Sequence, residues 1–391
     1  GCRVVGRCVV RAVAAVALFA SSGLFADGLS AETRRKCETA LAKGARYLMS
    51  IQNENGSFGK VAHPALAGLG AMGLHNVDGL NVQRRDKAIE QAMDYVIKYV
   101  PFPGGKEFKE RDYYPNYTAS VALLAMATVD KPEYLPHMRR ARQYLQNLQF
   151  DDAGMVDYGG IGYGKTGRAD LSNTSWAVRA LKATDFLDKE PQPTTPKQRE
   201  EMGQTYERMA EFLTKVQNLP ETNKESYVSE HPDDRGGFFY RPNESKAGER
   251  ETDGDRTVKP LISSGSMTYA GLLSMVYCDL SRDDIRVRAA LDYARRHYTV
   301  DENPAKGMEG YFFYLHIMSK ALDACGEGPL TLADGTKANW REDIAAKLLA
   351  MQNDDGSWKN EEGRFMEAVP TLATSYSLVT LKHVMGTAQG E

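Results

Sequence analysis

Two positions in this chain combine residue type and placement in a way that chemistry could use. Asp170 opens the run Asp170-Leu171-Ser172-Asn173-Thr174-Ser175-Trp176, where a carboxyl group at the head of an apolar helix could pass a proton and Asn173 could hold a polar ligand group. The same two residue types also cap helices, because they accept hydrogen bonds from the N–H groups that a first turn leaves unpaired. His316 is the only histidine inside the apolar segments delimited below, so it is a candidate acid or base near neutral pH. A hydrogen-bonded core histidine is the competing reading. Tyr117, Trp176, Tyr269, Tyr311, Tyr314 and Tyr376 punctuate the same segments, as does Phe312. Their rings could bind a lipid chain or a cation through area and quadrupole, or they could simply fill a core. His231, Asp233, Asp234 and Arg235 form a charged run with metal-type side chains, for which a solvated loop is the ordinary explanation. Without a Cys-x-x-Cys pair, no metal and no cofactor is expected.

The segments that must position these residues come in two alternating kinds. One is amphipathic, with apolar residues at helical spacing: ALAKGARYLMSIQ from Ala40, KAIEQAMDYVIKY from Lys87, MRRARQYLQNLQ from Met138, ERMAEFLTKVQ from Glu207, VRAALDYARRHY from Val287 and IAAKLLAMQ from Ile344. The other kind is apolar nearly all round, which predicts a buried helix. It comprises PALAGLGAMGL from Pro64, YTASVALLAM from Tyr117, NTSWAVRALKA from Asn173, SMTYAGLLSMVY from Ser266, YFFYLHIMSKAL from Tyr311 and TSYSLVTL from Thr374. Six outer–inner pairs follow, giving an all-α (α/α)6 toroid over residues 32–386 rather than an open array that would leave the inner helices half exposed. Several outer helices end in a Gln followed by a glycine turn and a ring, as in QNENGSF from Gln52, QFDDAGM from Gln149 and QNDDGSW from Gln352. Glycine there supplies a positive φ, and the turn is expected to lock one repeat to the next. Residues 188–206, with Pro191, Pro193 and Pro196, read as a loop, and residues 219–264 read as a polar insertion positioned to cover one mouth.

Of the 391 residues, 49 are Lys or Arg and 52 are Asp or Glu, a net charge of −3 that offers nucleic acid no general attraction. Arg3, Arg7 and Arg11 precede an apolar run and small residues up to Ala26, which predicts a signal peptide over residues 1–26 and export to the periplasm or the extracellular space. Losing those three arginines leaves 46 basic residues against 52 acidic ones, and no stable membrane span. Cys37, Cys278 and Cys325 are odd in number and far apart, so they are expected to be buried thiols rather than a disulfide framework.

With its QNENGSF and QNDDGSW turns alternating with helices of the TSYSLVTL type, the chain resembles the prenyltransferase and squalene–hopene cyclase repeat superfamily. In particular it looks like the exported bacterial proteins that hold a single toroid. That resemblance implies the (α/α)6 fold, and it names three chemistries that can be checked residue by residue. The cyclases' Asp-x-Asp-Asp-Thr acid aligns with Asp170 to Thr174, which keeps the first Asp and the Thr but has Ser172 and Asn173 in place of the two other acids. DGDR, Asp253 to Arg256, is the nearest literal match elsewhere. The zinc ligands of the protein prenyltransferases would fall at Met308, Gly310 and near Ala373, and Asp323, Cys325 and His383 supply those residue types only at the far ends of their helices. Ala324 to Gly328 reads ACGEG and lacks the glutamine of the thioester-containing toroids.

The leading expectation is therefore an exported protein that binds or transforms an isoprenoid or other lipid in an aromatic-lined central cavity. Asp170 and His316 are its candidate catalytic groups, and Tyr117, Asn173, Trp176, Tyr269, Tyr311, Tyr314 and Tyr376 its candidate binding groups. An alternative from another class is a non-catalytic envelope scaffold that holds a partner protein on the toroid rim and the 219–264 insertion. A third is a polysaccharide lyase or hydrolase built on an α/α toroid, which would need paired carboxylates or an Arg or Lys base facing the cavity.

Overall fold

A computed structural model describes residues 28–99, 114–189, 194–252 and 257–386. The expected leader and DGDR therefore lie outside the described residues. Twelve helices alternate between two walls. The outer wall is α1 (Ala31–Ser50), α3 (Val82–Lys98), α5 (Leu135–Asn147), α7 (Pro196–Lys215), α9 (Ile285–Arg296) and α11 (Trp340–Met351). The inner wall is α2 (Pro64–Leu74), α4 (Pro115–Val129), α6 (Leu171–Ala183), α8 (Gly265–Tyr277), α10 (Tyr311–Ala324) and α12 (Pro370–Val384). Each inner helix packs on the next, and α12 packs back on α2, so the ring is closed. A two-stranded hairpin, Leu330–Thr331 against Lys337–Ala338, is the one addition to the all-helical expectation among the described residues.

The inner helices are buried on every side, as their composition requires: each residue of α2, and each from Thr371 to Val384 in α12, is buried. Their hydroxyls tolerate this by bonding within the helix, Ser274 to the Ala270 carbonyl, Ser375 to Thr371 and Ser377 to Ala373. Proline begins α2, α4, α7 and α12, where its missing N–H costs nothing. This placement corrects the expected 188–206 loop. Pro196 is the first residue of α7, and Thr195 and Gln198 close a capping box around it.

The repeat turns work as staples. In each, the Gln side-chain amide donates once to its own glycine carbonyl and once to the next outer helix: Gln52 to Gly56 and Ala88, Gln149 to Gly159 and Thr205, Gln217 to Gly236 and Arg286, and Gln352 to Gly356 and Ala40. The last of these joins the final repeat to the first. All four glycines have φ between +81° and +93°, and a Cβ on any of them would lie 1.8–2.5 Å from a carbonyl oxygen of the neighbouring outer helix. In the second turn that glycine is Gly159 and not Gly154 of QFDDAGM, because five more residues loop out before the chain returns. The third staple, Gln217 to Phe238, lies partly inside the insertion, so RGGFF is a genuine repeat turn.

All six inner helices run the same way. Bonds between their starts (Asn116 to Asn173, and Glu367 before α12 to Phe312 and Phe313) place the N-termini at one mouth. At the other end basic side chains meet the terminal carbonyls: Arg142 on Leu181, Lys382 on Met72 and His75, Arg282 on Cys325, and Arg341 on His383. Six aligned helix dipoles favour this division, with anionic caps at the mouth and cations at the base.

Candidate functional site

At the mouth, Asp170 is the N-cap of α6 and is 1% exposed. Its Oδ1 accepts from the Asn173 N–H and its Oδ2 from the Asn173 side-chain amide, each at 2.8 Å. Asn116 in turn donates to the Asn173 carbonyl at 2.9 Å. Burial pushes the Asp170 carboxyl up to about 6, against the pull of those bonds and of the neighbouring Tyr240 hydroxyl. Tyr240 comes from the insertion, whose backbone docks here: the Tyr240 carbonyl accepts from the Leu171 N–H at 2.8 Å. Tyr163, 49% exposed, interacts with both Tyr240 and Asn173, so a line of polar groups runs from the buried carboxyl to solvent.

Across the mouth a second buried acid, Glu367, caps α10. It accepts from the Phe313 N–H at 2.8 Å, the Phe312 N–H at 3.1 Å and the Asn360 side chain at 2.9 Å. Burial again pushes its carboxyl up. Sequence reasoning missed it because Glu367 precedes α12 in the chain yet serves another helix.

Down the axis the rings form one cluster. Tyr117 meets Trp176 edge-on at 5.1 Å, and the Tyr117 and Tyr376 hydroxyls are 3.2 Å apart. Trp176 also neighbours Phe313, His316 and Tyr376, with centroids 6.3, 6.4 and 6.5 Å away. Tyr117 and Phe313 are half-buried, whereas Trp176, Tyr376 and His316 below them are buried. Exposure thus ends within the first turn of the inner helices, and these partly exposed rings mark the mouth. Its rim carries Tyr114, Tyr163, Phe365 and Met366, 48%, 49%, 50% and 41% exposed. Tyr114, Phe365 and Met366 all have left-handed backbones, with φ of 46°, 59° and 65°.

His316 lies beneath the partly exposed rings. Its Nε2 sits 2.7 Å from Arg179 Nη2, and because a guanidinium only donates, Nε2 must accept and the ring proton must be on Nδ1, facing Thr380. Burial first, and then Arg179 and Lys320, hold its pKa well below the ordinary value. A ring kept neutral with its free lone pair occupied is a poor acid and a poor base. Arg179, which sequence reasoning also missed, stacks 4.3 Å from the Trp176 ring.

Of the sequence candidates, Tyr117, Trp176 and Tyr376 meet on the axis with His316, and Asp170 and Asn173 meet at the lip. Tyr269, Tyr311 and Tyr314 lie elsewhere. Tyr269 and Tyr314 are 5.8 Å apart, Tyr314 donates to the Thr299 carbonyl at 2.7 Å, and Tyr311 donates to the Val300 carbonyl. They anchor the turn after α9. Asp323 and His383 do approach at 3.4 Å, and His383 proves to be a second histidine inside an inner helix. Asp323 is also paired with Arg341, and no group of three metal-type ligands occurs among the described residues. A surface groove of about 210 Å³ lined by Arg235, Arg288, Asp292 and Arg296 lies on α9, on the outer wall.

No protein-family model and no curated protein sequence matches the chain. Solved structures share its fold. The GH76A α-1,6-mannanase from Salegentibacter sp. HEL1_6 superposes with a TM-score of 0.56 at 11% identity, over 90% of this chain and 100% of that one. A family 76 glycoside hydrolase from a bovine Bacteroides thetaiotaomicron strain gives 0.54 at 9% identity, over 90% and 78%. A type II terpene cyclase from Scytonema, in complex with merosterolic acid A, gives 0.50 at 13% identity, over 92% and 100%. At these identities the likeness establishes an α/α toroid fold and leaves the reaction open.

Proposed function

We propose that the mouth of the toroid is a binding bowl for an isoprenoid or other lipid chain, in a protein exported by its leader. The observation that carries this reading is the cluster of axial rings whose upper members, Tyr117 and Phe313, keep part of their surface exposed beneath an apolar rim of Phe365 and Met366. The reading is one of binding rather than carbocation cyclisation. Trp176 is buried and the Arg179 guanidinium already stacks 4.3 Å from its ring, so a carbocation brought to that ring would meet a like charge, and the repulsion offsets what the ring quadrupole returns.

Among the described residues no helix is long and apolar enough to cross a membrane. The polysaccharide-cleaving alternative draws on the two buried acids, Asp170 and Glu367. Both spend their oxygens on backbone and side-chain N–H groups as caps, so they favour it less than the rings favour a lipid. Mass spectrometry of an organic extract of protein purified from its native envelope tests the proposal, with an unrelated exported protein as control. A lipid at close to one per chain supports it. An empty extract, together with cleavage of an added glycan, replaces it with the hydrolase reading.

A further inference from the structure

Beneath the partly exposed rings, α6 carries two buried polar groups one turn apart on the same face, Ser175 at 1% and Arg179 at 3% exposure. The Ser175 hydroxyl and the Arg179 Nη1 make no hydrogen bond. Arg179 makes no ion pair among the described residues, and its one polar partner, His316, is neutral. The charges acting on His316 are Arg179 and Lys320, which lies one turn beyond His316 on α10. Carbonyls at the helix C-termini are the obvious protein counterweight. Those of α2, α6, α10 and α12 are already met by Lys382, Arg142, Arg282 and Arg341. A guanidinium taken out of water without an anion is held at high cost, and stacking on Trp176 recovers only part of it.

We propose that the toroid axis beneath Trp176 is a binding site for a small monovalent anion of the halide class, held by Arg179 Nη1 and the Ser175 hydroxyl. The donor set selects the class. One guanidinium edge and one hydroxyl satisfy a chloride-like ion, whereas phosphate or sulfate would bring oxygens that need several more donors. A single water could complete the hydrogen bonds but would leave the charge uncompensated, so water and anion are separable by experiment.

Two measurements on the full-length mature protein test the site. In crystals grown in bromide, the proposal predicts an anomalous peak beside Arg179 Nη1; an ordered water there with no anomalous signal overturns it. In solution at constant ionic strength, replacing gluconate by chloride or bromide is expected to raise the melting temperature saturably by roughly 2 °C or more. R179M is expected to abolish that dependence. A melting temperature that follows ionic strength alone, with the two anions equivalent, overturns the proposal. Should R179M fail to fold, the bromide map and the wild-type anion series decide alone.

Discussion

Replacing Asp170 by Asn asks whether the lip of the bowl holds a proton. The Asp170 carboxyl stands at about 6 in the folded protein against an ordinary 3.8, because burial outweighs the bonds from Asn173. A raised carboxyl makes the folded state bind more protons than the unfolded state between those two values. Its contribution is thus fully present below about pH 3.8 and is lost as pH rises through about 6. The gap is worth about 3 kcal/mol for a group this buried. Asn keeps the shape and a carbonyl that can still accept from the Asn173 N–H, but it does not titrate. Urea unfolding of wild type and D170N at pH 4, 5, 6 and 7 should therefore show wild type losing about 2.5 kcal/mol relative to the variant across that range, the rest of the gap lying below pH 4. Other titrating groups, such as His75, which burial pulls down to about 4, cancel in the difference. Parallel curves would refute the reasoning. So would a wild type that gains on the variant as pH rises, since that outcome requires an ionised cap at every pH tested.

The ring-closing staple yields a second expectation: Q352A removes the donor to Ala40 and Gly356 and should cost about 1–3 kcal/mol in urea unfolding. G356A should cost at least as much, because its Cβ would meet the Lys43 carbonyl at 2.5 Å in a backbone with φ of +93°. Neither change is expected to alter ligand binding in the bowl. Burial holds the thiols of Cys37 and Cys325 up at about 12, so iodoacetamide at pH 8 should leave both unmodified in the folded protein and alkylate them in urea, as intact-mass measurement would show, whereas Cys278, expected buried, is only half-buried.

The architecture was readable because burial on all sides leaves a compositional mark. PALAGLGAMGL coincides with α2 residue for residue, and QNDDGSW announced the turn that closes the ring. The rotational setting of the inner helices was not readable, for the same physical reason. A helix that is apolar all round gives no sign of which face looks down the axis. Tyr311 and Tyr314 share a face of α10, while Phe313, His316 and Lys320 share the axial one, so choosing tyrosines by type selected a different stripe of that helix from the one that meets Trp176. A usable signal did exist. Arg179 and Lys320 are charges inside otherwise apolar segments, and a long cation in such a place must face either the axis or a helix end. Glu367 and Tyr240 reach the mouth from loops through tertiary contacts, which no local pattern encodes.

The central claim is that ligand binds on the axial rings, and a titration read by calorimetry tests it most directly. A C15 to C20 prenyl alcohol would be added to wild type, F313A, Y117A and the off-axis variant Y269F. Truncating a half-exposed ring should remove roughly 1–2 kcal/mol of contact, so affinity should fall about tenfold in F313A and Y117A. Y269F should bind as wild type does. Equal affinity in all four proteins, or a loss confined to Y269F, would contradict the account.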